Sequence, residues 1–89
     1  MDKRIGVIGI VIEDRKKVNT RLNQILSEFG NMIIGRMGVP SQELELAMIA
    51  LIVEGTTDEV SAMTGQLGNL PGITLKSALT SKKIDNRKG

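Results

Sequence analysis

At 89 residues the chain has room for one domain, near the lower size at which a core holds together without staples. It has neither cysteine nor histidine, which excludes disulfides, iron–sulfur ligation, thiol chemistry and the commonest metal ligand and general base. The formal charge of +2 is unevenly spread: residues 1–80 hold eight cations against nine carboxylates, and the excess lies in 81–89, on Lys82, Lys83, Arg87 and Lys88 opposed by Asp85. The expected organisation is a domain over 1–80 and a basic, solvated, disordered tail over 81–89.

Residues 5–12, IGVIGIVI, are rich in β-branched side chains and bounded by charge, so they predict a strand. The preceding Lys3-Arg4 imitates a signal peptide, but the apolar run is short, holds two glycines and ends in Glu13-Asp14 without a small-residue cleavage site. No stretch is long enough to span a bilayer, and a cytoplasmic location is expected. Val18, Leu22, Ile25, Leu26 and Phe29 then recur as one stripe of a helix, with Asp14 as N-cap and Gly30-Asn31 as a left-handed stop. Residues 32–39 read as a second strand and 44–53 as a third, joined through Pro40, Ser41 and Gln42 into a hairpin. Thr56 and Glu59 match a capping box, after which Val60, Met63, Thr64 and Leu67 give a second helix its inner stripe. Gly68, Pro71 and Gly72 end that helix, and 73–79 is the last strand.

The order βαββαβ predicts an α+β fold, the ferredoxin-like sandwich, with an antiparallel sheet ordered 4-1-3-2 and two helices on one face. In that topology strands 1 and 3 are central and strands 2 and 4 are edges. The sequence agrees: strands 1 and 3 are apolar, while the other two carry Arg36, Thr74, Lys76 and Ser77. Arg36 is expected to pair with a carboxylate such as Glu45 on the neighbouring strand.

Two helices cover one face of such a sheet, and a strand with one wet face should alternate apolar and polar residues. Strands 1 and 3 do not alternate. Leaving the second face wet would expose several large aliphatic side chains, whose burial is worth on the order of 10 kcal/mol before association costs. Self-association into a dimer or tetramer is therefore expected, with Ile5, Val7 and Val11 of strand 1 and Ile49, Leu51 and Val53 of strand 3 at the interface.

No constellation for catalysis is present, so no enzymatic activity is expected, and neither a metal nor a cofactor. The central strands have no aromatic residue on which a base could stack, which removes RNA recognition of that kind. Copper-chaperone and ferredoxin chemistry fail for lack of cysteine. Acylphosphatase-type chemistry needs a glycine-rich anion loop where this chain has Glu13, Asp14, Arg15, Lys16 and Lys17. That charged junction is nevertheless the candidate ligand site, because helix N-termini attract anions and Arg15, Lys17 and Arg21 add positive charge. By helical angle Arg15 leans toward the apolar side, Lys17 and Arg21 line one edge, and Lys16 points outward. Glycines inside strands mark close approach of a backbone or ligand, which adds Gly35 and Gly38 to the candidates.

The segments RIGVIGIVIEDR (4–15), VN (18–19), ILSEFG (25–30), IGRMG (34–38) and LPGI (70–73) together resemble the iron-only hydrogenase system regulator family. Its members are small stand-alone domains similar to ACT domains and to the C-terminal regulatory domain of the nickel-responsive repressor. The resemblance implies an ACT-like regulatory or sensor role connected with hydrogenase maturation, and assembly into dimers or tetramers. The repressor's His and Cys metal ligands are missing here, so nickel sensing does not carry over. The glycine that amino-acid-binding ACT domains place after strand 1 is replaced by Glu13-Asp14-Arg15. The few residues ahead of strand 1 leave no room for a ribbon-helix-helix, so direct nucleic-acid binding is not expected. The resulting expectation is a homo-oligomeric regulator with a small-molecule effector between subunits; the alternative is an adaptor that binds a partner protein through an edge strand or the basic tail.

Overall fold

The computed structural model describes residues 2–84. Strand β1 (Lys3–Ile12) leads into helix α1 (Arg15–Glu28), a single 3₁₀ turn (Gly30–Met32) and strand β2 (Ile33–Ser41). Strand β3 (Leu46–Gly55), helix α2 (Thr57–Gly68) and strand β4 (Ile73–Ile84) complete the chain. The four strands form one sheet in the order β2-β3-β1-β4, antiparallel throughout, which is the expected order counted from the other edge.

Local chemistry accounts for most of the element ends. The Asp14 carboxylate accepts from the Lys17 amide at 3.4 Å and caps α1. The Thr56 hydroxyl accepts from the Glu59 amide at 3.1 Å while the Glu59 carboxylate accepts from the Thr56 amide at 2.8 Å, so the capping box of α2 is complete. The end of α1 differs from expectation. Gly30 is not left-handed; the Phe29 amide donates to the Ile25 carbonyl, and the chain tightens into the 3₁₀ turn. The left-handed glycine is Gly72, at φ +72°, whose carbonyl accepts from the Glu13 amide at 2.9 Å and ties the β1–α1 junction to the α2–β4 turn. The hairpin turn falls at 42–45 instead of 40–42. Pro40 lies within the edge strand β2, Leu44 is exposed in the turn, and Glu45 takes the left-handed conformation at φ +57°.

Both helices pack on one face of the sheet. Val18, Leu22, Ile25 and Leu26 of α1 and Val60, Met63 and Leu67 of α2 meet Ile8, Ile10 and Ile12 of β1 in a single core. The pairing of β1 with β3 sets Ile8 opposite Leu51 and Ile10 opposite Ile49. Residues directly opposed across an antiparallel pair project to the same side. Ile49, Leu51 and Val53 are therefore core residues beneath the helices, not interface residues as expected. The other phase of β3, with Met48 and Ile52, is the one that joins Ile5, Val7 and Val11 on the uncovered side.

Strand β4 corrects the domain boundary as well. It runs to Ile84, with Ile84 paired to Lys3 and Lys83 to Arg4, so 81–84 are sheet and not tail. A register shift between Arg4 and Gly6 lies within this pairing, where the Thr80 hydroxyl donates to the Ile5 carbonyl at 2.6 Å. The remainder of the expected tail, 85–89, lies outside the described residues.

Candidate functional site

Two surfaces stand out, one on each side of the sheet. On the uncovered side the registers line residues up in rows that run from β2 to β4. Gly35, Ile52, Val7 and Ala78 make the first row, Met37, Ala50, Gly9 and Lys76 the second, and Val39, Met48, Val11 and Thr74 the third. A single charge, Lys76, sits among these twelve positions, at the β4 edge. Met37 is 61% exposed, Val7 48%, Ile52 47% and Val39 44%. The middle row is low where Ala50 and Gly9 meet. A Cβ placed on Gly9 would contact nothing within 4 Å, so packing within the chain does not require glycine there.

On the covered side, α1 stands off from the β2 edge and leaves a crevice of about 200 Å³. Arg15, Asn19 and Asn23, one helical turn apart, form its wall on α1, and Arg36 and Gly38 line it from β2. Leu22, Ala47 and Ile49 supply an apolar floor. The Asn23 amide donates to the Asn19 carbonyl oxygen at 3.3 Å, which leaves the Asn19 NH₂ without a partner in that pair. Neither arginine makes an ion pair among the described residues, where the ion pairs are Arg21–Glu28 and Lys83–Asp2. A wider hollow of about 350 Å³ shares Ile12, Arg15 and Ala47 with the crevice, but it is also lined by Glu13, Asp14 and Glu45.

The sequence-based site residues divide between these surfaces and plain solvent. Arg15 and Gly38 come together in the crevice. Lys17 and Arg21 do not join them: Arg21 lies on the far shoulder of α1, hydrogen-bonded to Gln24 at 3.3 Å and 4.0 Å from the Glu28 carboxylate. Gly35 pairs with Ile52 and belongs to the uncovered face. Arg36 stands opposite Leu51, and Glu45 is in the hairpin turn, so the expected Arg36–Glu45 pair does not form. Sequence reasoning missed Arg36, Asn19 and Asn23 as site residues. The signal was present: positions 15, 19 and 23 are an i, i+4, i+8 stripe beside the apolar one.

A family model described as "TM1266-like: Iron-only hydrogenase system regulator, putative" matches residues 4–77, from the start of β1 into β4. The chain belongs to the TM1266-like family. Among solved structures, the uncharacterized protein TM1266 from Thermotoga maritima superposes with a TM-score of 0.83 at 34% identity, covering 86% of this chain and 96% of that one. A protein of unknown function from Galdieria sulphuraria has a TM-score of 0.61 at 13% identity, covering 90% of this chain and 46% of that one, and shares the fold. No curated protein matches the chain. In this TM1266-like chain the segment RIGVIGIVIEDR spans β1, the Asp14 cap and Arg15, and IGRMG holds both Arg36 and Gly38. The LPGI segment is the turn around Gly72. Among the described residues no three of the acidic side chains cluster as metal ligands, and no helix is long and apolar enough to cross a membrane.

Proposed function

We propose that this TM1266-like chain is a non-enzymatic regulatory module. It works as a homo-oligomer, packs the uncovered face of its sheet against a second copy and responds to a small-molecule effector. Family membership supports the regulatory part. The uncovered face carries the assembly part: an apolar surface three rows deep, with charge only at its rim on Lys76 and, beyond the rows, Glu54, suits a partner with the same composition, and a twofold axis supplies one. Gly9 fits this reading, since a glycine that its own chain does not need gives a second sheet room to approach.

Magnitudes favour an interface that is easily broken. Burying the exposed half of Val7, Met37, Val39 and Ile52 is worth about 1 kcal/mol each, and a symmetric pair counts every residue twice. The sum is comparable with the ~4–15 kcal/mol lost in rotational and translational freedom, so one buried charge should suffice to dissociate it. Light scattering after size exclusion tests the proposal. The full chain should run as a dimer or tetramer at micromolar concentration and Ile52→Asp as a monomer with an unchanged far-ultraviolet circular dichroism spectrum. A monomeric full chain would overturn the reading and leave an adaptor that binds a different protein.

A further inference from the structure

The crevice between α1 and β2 has the chemistry of a small anion site. It holds two guanidiniums, from Arg15 and Arg36, with no carboxylate against either. The free amide hydrogens of Asn19 stand on the same wall. The carboxylates Glu13, Asp14 and Glu45 line the neighbouring hollow, which shares Arg15 with the crevice, but none of them forms an ion pair with Arg15. Both arginines are solvent-exposed, and their forks match carboxylate and phosphate oxygens in pairs, so an anion in the crevice meets a fork from each wall over an apolar floor.

Size narrows the ligand. A volume of about 200 Å³ is below the ~300–1,000 Å³ of sites for drug-sized molecules. We infer that the crevice binds a small oxyanion of charge −2, a short dicarboxylate or a phosphate group, between Arg15 and Arg36. Gly38 keeps the entrance open. It faces the same side as its partner Ile49, and a Cβ there would meet nothing within 4 Å, so the strand tolerates a side chain at 38 that the ligand would not. The inference gives the proposed regulator its effector class and rests on that reading for its purpose only. Binding is measured separately from assembly, so either can fail alone.

The test is a titration of the full chain, followed by amide chemical shifts at low ionic strength, with succinate, inorganic phosphate and, at matched ionic strength, sodium chloride. Saturable shifts at Arg15, Asn19, Arg36 and Gly38 are expected, with a Kd of about 1 mM or tighter for at least one of the two dianions. Preference for succinate assigns the carbon chain to the Leu22 and Ile49 floor, and preference for phosphate assigns both arginines to one group; either supports the site. Arg15→Gln and Arg36→Gln should each weaken binding about tenfold or more. Gly38→Val should abolish it without lowering the melting temperature, and Lys17→Gln should leave it unchanged. Absence of saturable shifts with both dianions would overturn the inference. So would shifts confined to Lys82 and Lys83, or wild-type affinity in both arginine variants.

Discussion

Leu51 and Ile52 are consecutive, similar in size and equally apolar, and they do opposite things. Leu51 is fully buried beneath the helices, and Ile52 is 47% exposed on the uncovered face. The same contrast holds along β1 between Ile8 and Val7. The two faces of this sheet share a composition, so composition does not say which one holds the fold together. The covered face stabilises the monomer, and association is the role proposed for the other. The sharpest test is the pair Leu51→Ala and Ile52→Ala. The first leaves a cavity and should cost about 2–5 kcal/mol, which at ~4–8 °C per kcal/mol for a domain of this size lowers the melting temperature by about 8 °C or more. The second should cost less than about 1 kcal/mol in the monomer and act on oligomer dissociation instead. Equal losses of monomer stability would break the contrast.

Glycines on β1 repeat the comparison on a smaller scale. Gly6 faces the covered side, where a Cβ would come within 2.8 Å of Leu79 Cδ1 and 3.0 Å of the Ala78 carbonyl oxygen. Part of that clash is with backbone, so Gly6→Ala should cost about 1–3 kcal/mol in thermal or denaturant unfolding. Gly9, three residues on, faces open space. Gly9→Val should leave the monomer as stable or raise it by ~0.5–1 kcal/mol, because an unneeded glycine weakens a strand. The same change raises the floor of the middle row and should weaken self-association in light scattering. Destabilisation of the monomer by Gly9→Val would show that the uncovered face contributes to the fold after all.

The sequence reveals what is decided locally and is silent on what depends on register. Asp14, the Thr56–Glu59 box and both helical stripes were legible because caps and stripes involve residues three or four positions apart. Sheet order was legible from the polar residues of the two edge strands. The face of β3 was not. A strand apolar in both phases reads the same whichever way it is turned, and only the pairing of Ile10 with Ile49 decides it. The end of β4 was misread because lysines at 82 and 83 suggest a solvated tail, although lysine is also how exposed edges are kept from pairing. The crevice was half legible. Arg15 and Gly38 could be singled out as types, but their meeting with Arg36 depends on how α1 crosses the sheet, which no local pattern encodes.

If stability belongs to the covered side, then acid should act there first: the three central rows of the uncovered face carry no carboxylate, and Glu54 stands beyond them, opposite Ile5 on the same side. The Thr56 amide holds the Glu59 carboxyl below its ordinary value of about 4.5; desolvation opposes it, and the Thr56 hydroxyl and the charge of Lys3 add smaller effects in the same direction as the amide. A carboxyl depressed by folding stabilises the native state above its unfolded pKa, and that contribution disappears as pH falls through the folded value. The box clamps the start of α2, whose Val60, Met63 and Leu67 cover the core. The melting temperature of the full chain should therefore fall on acidification from pH 6 toward 3 more steeply than that of Glu59→Gln, whose side chain has no charge to lose. At neutral pH the variant should be less stable by about 1 kcal/mol or less, because an amide oxygen still accepts from Thr56 but without charge assistance. Parallel curves for the two proteins would remove Glu59 from the acid response. A steeper loss of oligomer than of fold in acid would move the pH sensitivity to the uncovered face, and with it the division of labour drawn between the two sides of the sheet.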